Sequence, residues 1–466
     1  MTQPVLLPTP ALPRVAPTRP EPETPYEQYV YAYPHQKAYR LLENGPLLSR
    51  LWAAERLDAL SLYVHIPFCE MRCGFCNLFT RTGAPEEVTR DFLGTLERQA
   101  RVTREALEAK GEPIRFRLAA FGGGTPTYLT ADELTRLCDI SEHIMGADLE
   151  AASWSVETSP ATATEDRIAV LAERGATRLS IGVQSFIDEE ARAAVRPQKR
   201  EEVEAALARL KEADFPILNI DLIYGIDGQT ERTFKVSLDA ALAWEPEEIY
   251  LYPLYVRPLT GLSSRHAKTL QEWNDQRLRL YRYGRDHLLS AGYEQTSMRV
   301  FRRVGTAAVE DTGGSGISEY NQQAGMVGLG VGARSFTTGL HYTTDYAVAV
   351  PEVRRIIDDY IATPTERFRR AQWAFVMDAG ERRRMYTLQH LLESTGLRTA
   401  DYEQRFATRF EDDFGPQLDA LLERNWLREK GGVLTLTPEG MAWADAVGPL
   451  FFSDRVRTNM SAYQDR

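Results

Sequence analysis

Residues 61–79 read SLYVHIPFCEMRCGFCNLF: an apolar, strand-like run followed by Cys69, Cys73 and Cys76 at the spacing C-x3-C-x2-C. The chain has four cysteines in all, so three of them stand within eight residues and no disulfide framework is available. Such a cluster points to metal or redox chemistry in a reducing compartment. A structural zinc ion takes four ligands, normally from a second pair such as C-x2-C or H-x3-H, and no such pair is present. His65 lies inside the strand-like run and reads as a satisfied, partly buried imidazole, not a fourth ligand. Three thiolates are one short of the usual ligation of a [4Fe–4S] cluster. The open iron that remains can take a small molecule, and the amino and carboxylate groups of an amino acid suit it as a chelating pair. Cys138, in the amphipathic run ADELTRLCDISEHI, reads as a small buried hydrophobe.

Outward from this stretch the pattern repeats. Strand-like runs occur at 61–66 (SLYVHI), 115–121 (RFRLAAF), 153–158 (SWSVET), 177–183 (TRLSIGV), 217–225 (ILNIDLIYG) and 249–256 (IYLYPLYV), with amphipathic helical stretches between them. Six strands alternating with helices predict a parallel α/β sheet with right-handed crossovers, and periodicity alone fits a doubly wound sheet and a barrel equally. Beyond residue 260 the alternation weakens, through a long helix near LQEWNDQRLRLYRYGRDHLLSAG and the Gly-rich GMVGLGVGARSFTTG. Further on, ALLERNWLREKGGVLTLTPEGMAWADAV reads helix, hairpin, helix, the order of a small winged-helix-like domain. At the other end, residues 1–25 carry eight prolines and few large apolar groups and read as a disordered tail.

Composition narrows the partners. With 43% hydrophobic and 26% charged residues and a net charge of −11, the chain has the balance of a soluble globular protein and no basic block for nucleic acid. No run of some 18 apolar residues offers a membrane span, and the N-terminus lacks a secretory pattern, so the expected location is cytoplasmic.

The spacing C-x3-C-x-Φ-C, with Phe75 as the aromatic Φ, resembles the cluster motif of radical S-adenosylmethionine (SAM) enzymes. Together with LYVHIPFC, FGGGTPT, SVETSP, RLSIGVQSF and NIDLIYGIDGQT, in this order over about residues 60–340, it resembles the group containing oxygen-independent coproporphyrinogen III oxidase and the haem chaperone HemW. The resemblance implies a partial (β/α)6 radical SAM barrel with a C-terminal helical, winged-helix-like domain. It divides the chain into the tail 1–25, an N-terminal aromatic and helical segment 26–60, the barrel core 61–260, a barrel extension with the Gly-rich segment 261–375, and a HemN-like domain 376–466.

It also implies that Cys69, Cys73 and Cys76 hold a [4Fe–4S] cluster and act as the catalytic ligands. Gly123, Gly124 and Thr125 then lie against the methionine moiety of SAM, while Glu157, Gln184, Arg196 and Asp221 contact SAM and Tyr63 and Phe75 flank the cluster and adenine. The implied reaction is reductive cleavage of SAM to methionine and a 5′-deoxyadenosyl radical, fed by a flavodoxin- or ferredoxin-type donor and acting on a small organic substrate the motifs do not specify. Narrower readings are a coproporphyrinogen III oxidase or a HemN-like methyltransferase, and a non-enzymatic haem chaperone. Chaperone members share an HNxxYW motif. Here the corresponding place reads EYNQQAG, with Tyr320 in place of the His, Asn321 retained, and Ala324 and Gly325 in the Tyr-Trp places. The aromatic stretch YVYAYPHQKAYR is similar to the oxidase's substrate-contacting segment, and Tyr33, Pro34 and Tyr39 equally suit packing under the barrel mouth.

Overall fold

The computed structural model describes residues 22, 24–262, 269–306 and 324–464. Most of the expected Pro-rich tail, and Tyr320 and Asn321, lie outside these residues. Two compact units are present: Tyr39–Val376 with the last residues of the chain, and Met377–Met460 with the segment up to Ala38.

The larger unit is built on six parallel strands, β1 (Leu60–Ile66), β2 (Phe116–Gly123), β3 (Ser153–Thr158), β4 (Arg178–Gln184), β5 (Ile217–Tyr224) and β6 (Glu248–Pro253). They are hydrogen-bonded in chain order, and further strands extend the sheet beyond both β1 and β6. A doubly wound sheet reverses direction at a switch point; here every crossover advances the same way, so right-handed connections curl the sheet into an open, partial barrel. All seven residues of β1 are buried, as expected of a parallel strand covered on both faces. Helices enter the alternation at sequence-encoded caps. Thr130 and Glu133 form a capping box before Ala131–Asp139, and Thr269 and Glu272 form another before Leu270–Ser290.

The register places alternate residues of β4, β5 and β6 on one face: Ser180 beside Asn219 and Gly182 beside Asp221, with Asn219 and Asp221 beside Glu248 and Tyr250. Near the strand starts this face carries a buried charge network. Glu248, whose side chain is 0% exposed, accepts from Arg178 Nε at 2.8 Å and from Arg302 Nη2 at 3.0 Å, and Arg178 also donates to Ser155 Oγ at 2.9 Å. Burial raises the Glu248 pKa, but the charges and hydrogen bonds of Arg178 and Arg302 outweigh it and hold the carboxyl below its usual range.

The smaller unit has helices Ala379–Leu391, Thr399–Phe406 and Phe410–Glu423 and a three-stranded sheet whose hairpin is Leu427–Lys430 and Val433–Leu436. The helix–hairpin–helix order expected here is present. The N-terminal aromatic segment, expected as a separate piece, contributes to this unit: Tyr33 packs on Phe452 at 5.5 Å and donates to Glu381 Oε2 at 2.5 Å, while Gln28 N donates to Asp445 O at 3.1 Å. Tyr39, six residues on, packs instead on Phe375 of the larger unit. Among the described residues no helix is long and apolar enough to cross a membrane.

Candidate functional site

The cysteines occupy the loop that leaves the C-terminal end of β1. Phe68–Cys69 pairs with Arg81–Thr82 and closes the loop at its base. At the other end Gly74 N donates to Ala194 O at 3.1 Å, and Gly74 O accepts from Leu262 N at 2.9 Å. Position 74 must be glycine for this approach, because a Cβ would stand 2.7 Å from Val195 Cβ. Phe75 packs against the apolar cluster of Ala194, Ile223, Ile226, Leu254, Leu262 and Trp273.

Each sulfur meets a hydroxyl or a guanidinium, two of them from distant parts of the sequence. Thr125 Oγ1 donates to Cys69 Sγ at 3.4 Å, Arg196 Nη1 donates to Cys73 Sγ at 3.0 Å, and Cys76 Sγ lies 3.7 Å from Thr80 Oγ1. Burial pushes the Cys69 and Cys73 thiols up, against Thr125 at the first and the Arg196 charge at the second. Such thiols give up their protons to a metal, which inverts the local electrostatics. Among the described residues no group of three or more His, Cys, Asp or Glu side chains is placed to hold a metal ion. Three cysteine sulfurs with hydrogen-bonding groups beside them are a donor set that would suit an iron–sulfur cluster.

The other expected residues lie on the parallel strands or in the segments that follow them. Gly123, at φ +107°, lies where a Cβ would meet the His65 ring at 2.3 Å, and a Cβ on Gly124 would meet Phe68 O at 2.5 Å. Glu157, at the end of β3, accepts from Gly123 N at 3.0 Å, so the glycine turn and this carboxylate are one unit. Gln184, at φ +70°, follows a bulge at the end of β4. Arg196 is buried, with Nη2 on Gly182 O at 2.7 Å and Nε on Gln198 Oε1 at 2.7 Å. Asp221 accepts from Asn219 Nδ2 at 2.7 Å and Ser180 Oγ at 3.4 Å.

Tyr63 is buried and its hydroxyl stands 3.3 Å from His65 Nδ1, while His65 Nε2 donates to Phe79 O at 3.2 Å. Burial brings the His65 pKa down to about 4, against the Phe79 carbonyl, so the ring is a neutral, satisfied packing group. Cys138 is fully buried in the helix Ala131–Asp139. Sequence reasoning missed Thr80, Gln198, Asn219 and Ser180. The pair Asn219 and Asp221 was the available signal, since i and i+2 share a strand face.

Residues 63–241 match the family model of the radical SAM superfamily, and residues 391–443 match that of the HemN C-terminal domain. The chain carries a radical SAM domain and a HemN C-terminal domain. The matched stretch includes all twelve of the expected site residues, from Tyr63 to Asp221. The chain is homologous to HemW and to oxygen-independent coproporphyrinogen III oxidases. It is 24% identical to the haem chaperone HemW of Bacillus subtilis over 396 residues, 84% of this chain and 99% of that protein. It is 32% identical to the oxygen-independent coproporphyrinogen III oxidase of Paracoccus denitrificans over 256 residues, 53% of this chain and 54% of that protein. Among solved structures, coproporphyrinogen III oxidase (HemN) from Escherichia coli superposes with a TM-score of 0.77 over 91% of this chain and 96% of that one, at 22% identity. That likeness establishes the shared fold. The radical SAM family implies a [4Fe–4S] cluster and SAM as cofactors.

Proposed function

We propose that this chain is a radical SAM enzyme of HemN-like type. The observation that carries the reading is the loop of three cysteines after β1, each with a hydroxyl or guanidinium beside its sulfur, two of which, Thr125 and Arg196, come from the turn after β2 and the segment after β4. When bound and reduced, the cluster supplies one electron to SAM, which splits into methionine and a 5′-deoxyadenosyl radical that takes a hydrogen atom from an organic substrate.

The chain's own residues bind and orient. Cys69, Cys73 and Cys76 would hold the cluster, and with only three cysteines in this loop a ligand position would be left for SAM. The tight turn at Gly123 and Gly124, with Thr125, lets backbone approach the methionine moiety. Glu157 and Asp221 are acceptors suited to ribose hydroxyls or the ammonium, and the amide of Gln184 adds a donor and an acceptor beside them. Arg196 supplies a charged donor for the carboxylate. Phe75 and Tyr63 offer aromatic surface beside the cluster and adenine, the first backed by Ile223 and Ile226. The substrate is a small molecule and the electron comes from a low-potential donor of flavodoxin or ferredoxin type. Location in the cytoplasm suits thiolates that must stay reduced.

Homology to the oxidases favours a tetrapyrrole-type substrate as the narrower enzymatic reading, either oxidised and decarboxylated or methylated. The 24% identity to HemW over 84% of the chain favours haem carriage as the competing one. Against haem carriage stands position 325. There the backbone has φ +92°, and a Cβ would stand 3.1 Å from Leu60 Cδ2, so the place that is Trp in chaperones is shaped for glycine.

Arg196→Ala is expected to weaken SAM binding to the cluster-loaded protein by about 1.5–3 kcal/mol, the worth of a charged hydrogen bond. Equilibrium dialysis with labelled SAM measures this. Unchanged affinity would remove Arg196 from the SAM site.

A further inference from the structure

Glu70 stands in the first gap of the cysteine spacing, directly after Cys69. Its Oε1 accepts from Ser159 Oγ at 2.7 Å, and its Oε2 is sealed from solvent without a hydrogen-bond partner among the described residues. No ion pair compensates it among those residues. Ser159 is itself fixed, buried and joined to Thr162 Oγ1 at 2.9 Å. From Thr162 the hydroxyl chain runs to Thr127 and on to Thr158, each step 2.7 Å. This chain ties the end of β3 and the loop after the glycine turn to the cysteine loop, and it holds the Glu70 carboxylate beside Cys69.

We infer that Glu70 is a redox-tuning residue, whose fixed negative charge lowers the reduction potential of the cluster held by Cys69, Cys73 and Cys76. The inference rests on the radical SAM reading above. Reduction adds one negative charge to the cluster, and an uncompensated carboxylate at the edge of the same loop opposes it, most strongly where water is excluded. The donors on the sulfurs act in the opposite sense: Arg196 on Cys73 and Thr125 on Cys69 stabilise added negative charge. Glu70 offsets them and keeps the reduced cluster a strong donor, as reductive cleavage of a sulfonium requires. Ser159 is then a positioning residue, acting only through Glu70.

Glu70→Gln keeps an oxygen for Ser159 and removes the charge, so it separates tuning from packing. In the full chain, reconstituted anaerobically without SAM, the midpoint potential is read by electron paramagnetic resonance during a redox titration. The Gln variant is expected to be reduced with an equilibrium constant about tenfold more favourable, a rise of about 59 mV for one electron. Ser159→Ala, which keeps the charge but frees it, is expected to shift the potential in the same direction by less. A cluster-loaded Gln variant with the parent's potential would overturn the inference. Should that variant fail to take up iron, an unshifted Ser159→Ala protein would overturn it instead. A parent that loads cluster and cleaves SAM while both variants titrate unshifted would sink the tuning role alone; a parent that takes up no cluster would sink the functional reading with it.

Discussion

Cys73→Ala protein, reconstituted anaerobically with iron and sulfide, is expected to lose the visible iron–sulfur absorbance and bound iron of the parent and to form no 5′-deoxyadenosine above background. Cys73 is the cysteine nearest a full positive charge, with Arg196 Nη1 at 3.0 Å from its sulfur, so its removal takes away a ligand and leaves a buried guanidinium without its thiolate. Cys138→Ala supplies the control. Its thiol is fully buried in the helix Ala131–Asp139, remote in sequence from the cysteine loop, and the variant is expected to bind iron as the parent does. Iron and zinc are counted by elemental analysis. One zinc per chain and no iron in the anaerobically handled parent would contradict the assignment of these three cysteines.

The second large effect concerns stability. Glu248→Ala is expected to destabilise the larger unit by about 3–5 kcal/mol, because it strands Arg178, whose side chain is 3% exposed, and Arg302 beside it without their counter-charge. The effect is pH-dependent with a definite sign. The Glu248 pKa is held below the ordinary carboxyl value of 4.5, so the stability it contributes is present above that value and is lost as pH falls through the depressed folded pKa. Denaturant midpoints of parent and variant should therefore lie far apart at neutral pH and converge in acid. A gap independent of pH would mean that packing, not charge, accounts for the loss.

The fold was legible wherever one local rule applied along a continuous stretch. The six parallel strands are buried apolar runs, and the observed ends differ from the expected ones by a few residues, as with Glu248–Pro253 against an expected 249–256. Barrel against doubly wound sheet was not legible from periodicity, since the two differ only in which strands become neighbours. The placement of the aromatic N-terminal segment was hidden for a related reason. Tyr33 and Glu381 are 348 positions apart, and nothing local in YVYAYPH announces a carboxylate in the C-terminal unit.

In the site, the three cysteines were legible from spacing because they stand within one loop. The donors around the sulfurs were only partly legible. Thr125 and Arg196 were expected to face SAM; what the structure shows is that each donates to a cysteine sulfur. Thr80 and Gln198 lie outside the quoted motifs, and Asn219, which opens NIDLIYGIDGQT, was not singled out within it.

The central claim is that this chain cleaves SAM reductively at a cluster held by Cys69, Cys73 and Cys76. The most direct measurement is chromatographic detection of 5′-deoxyadenosine and methionine from anaerobically reconstituted, dithionite-reduced protein incubated with SAM. The account predicts both products in equal amounts, formed slowly without substrate and dependent on the cluster. Intact SAM after incubation with cluster-loaded, reduced protein, together with a stoichiometric haem complex in an absorbance titration, would contradict it in favour of a haem-carrying role.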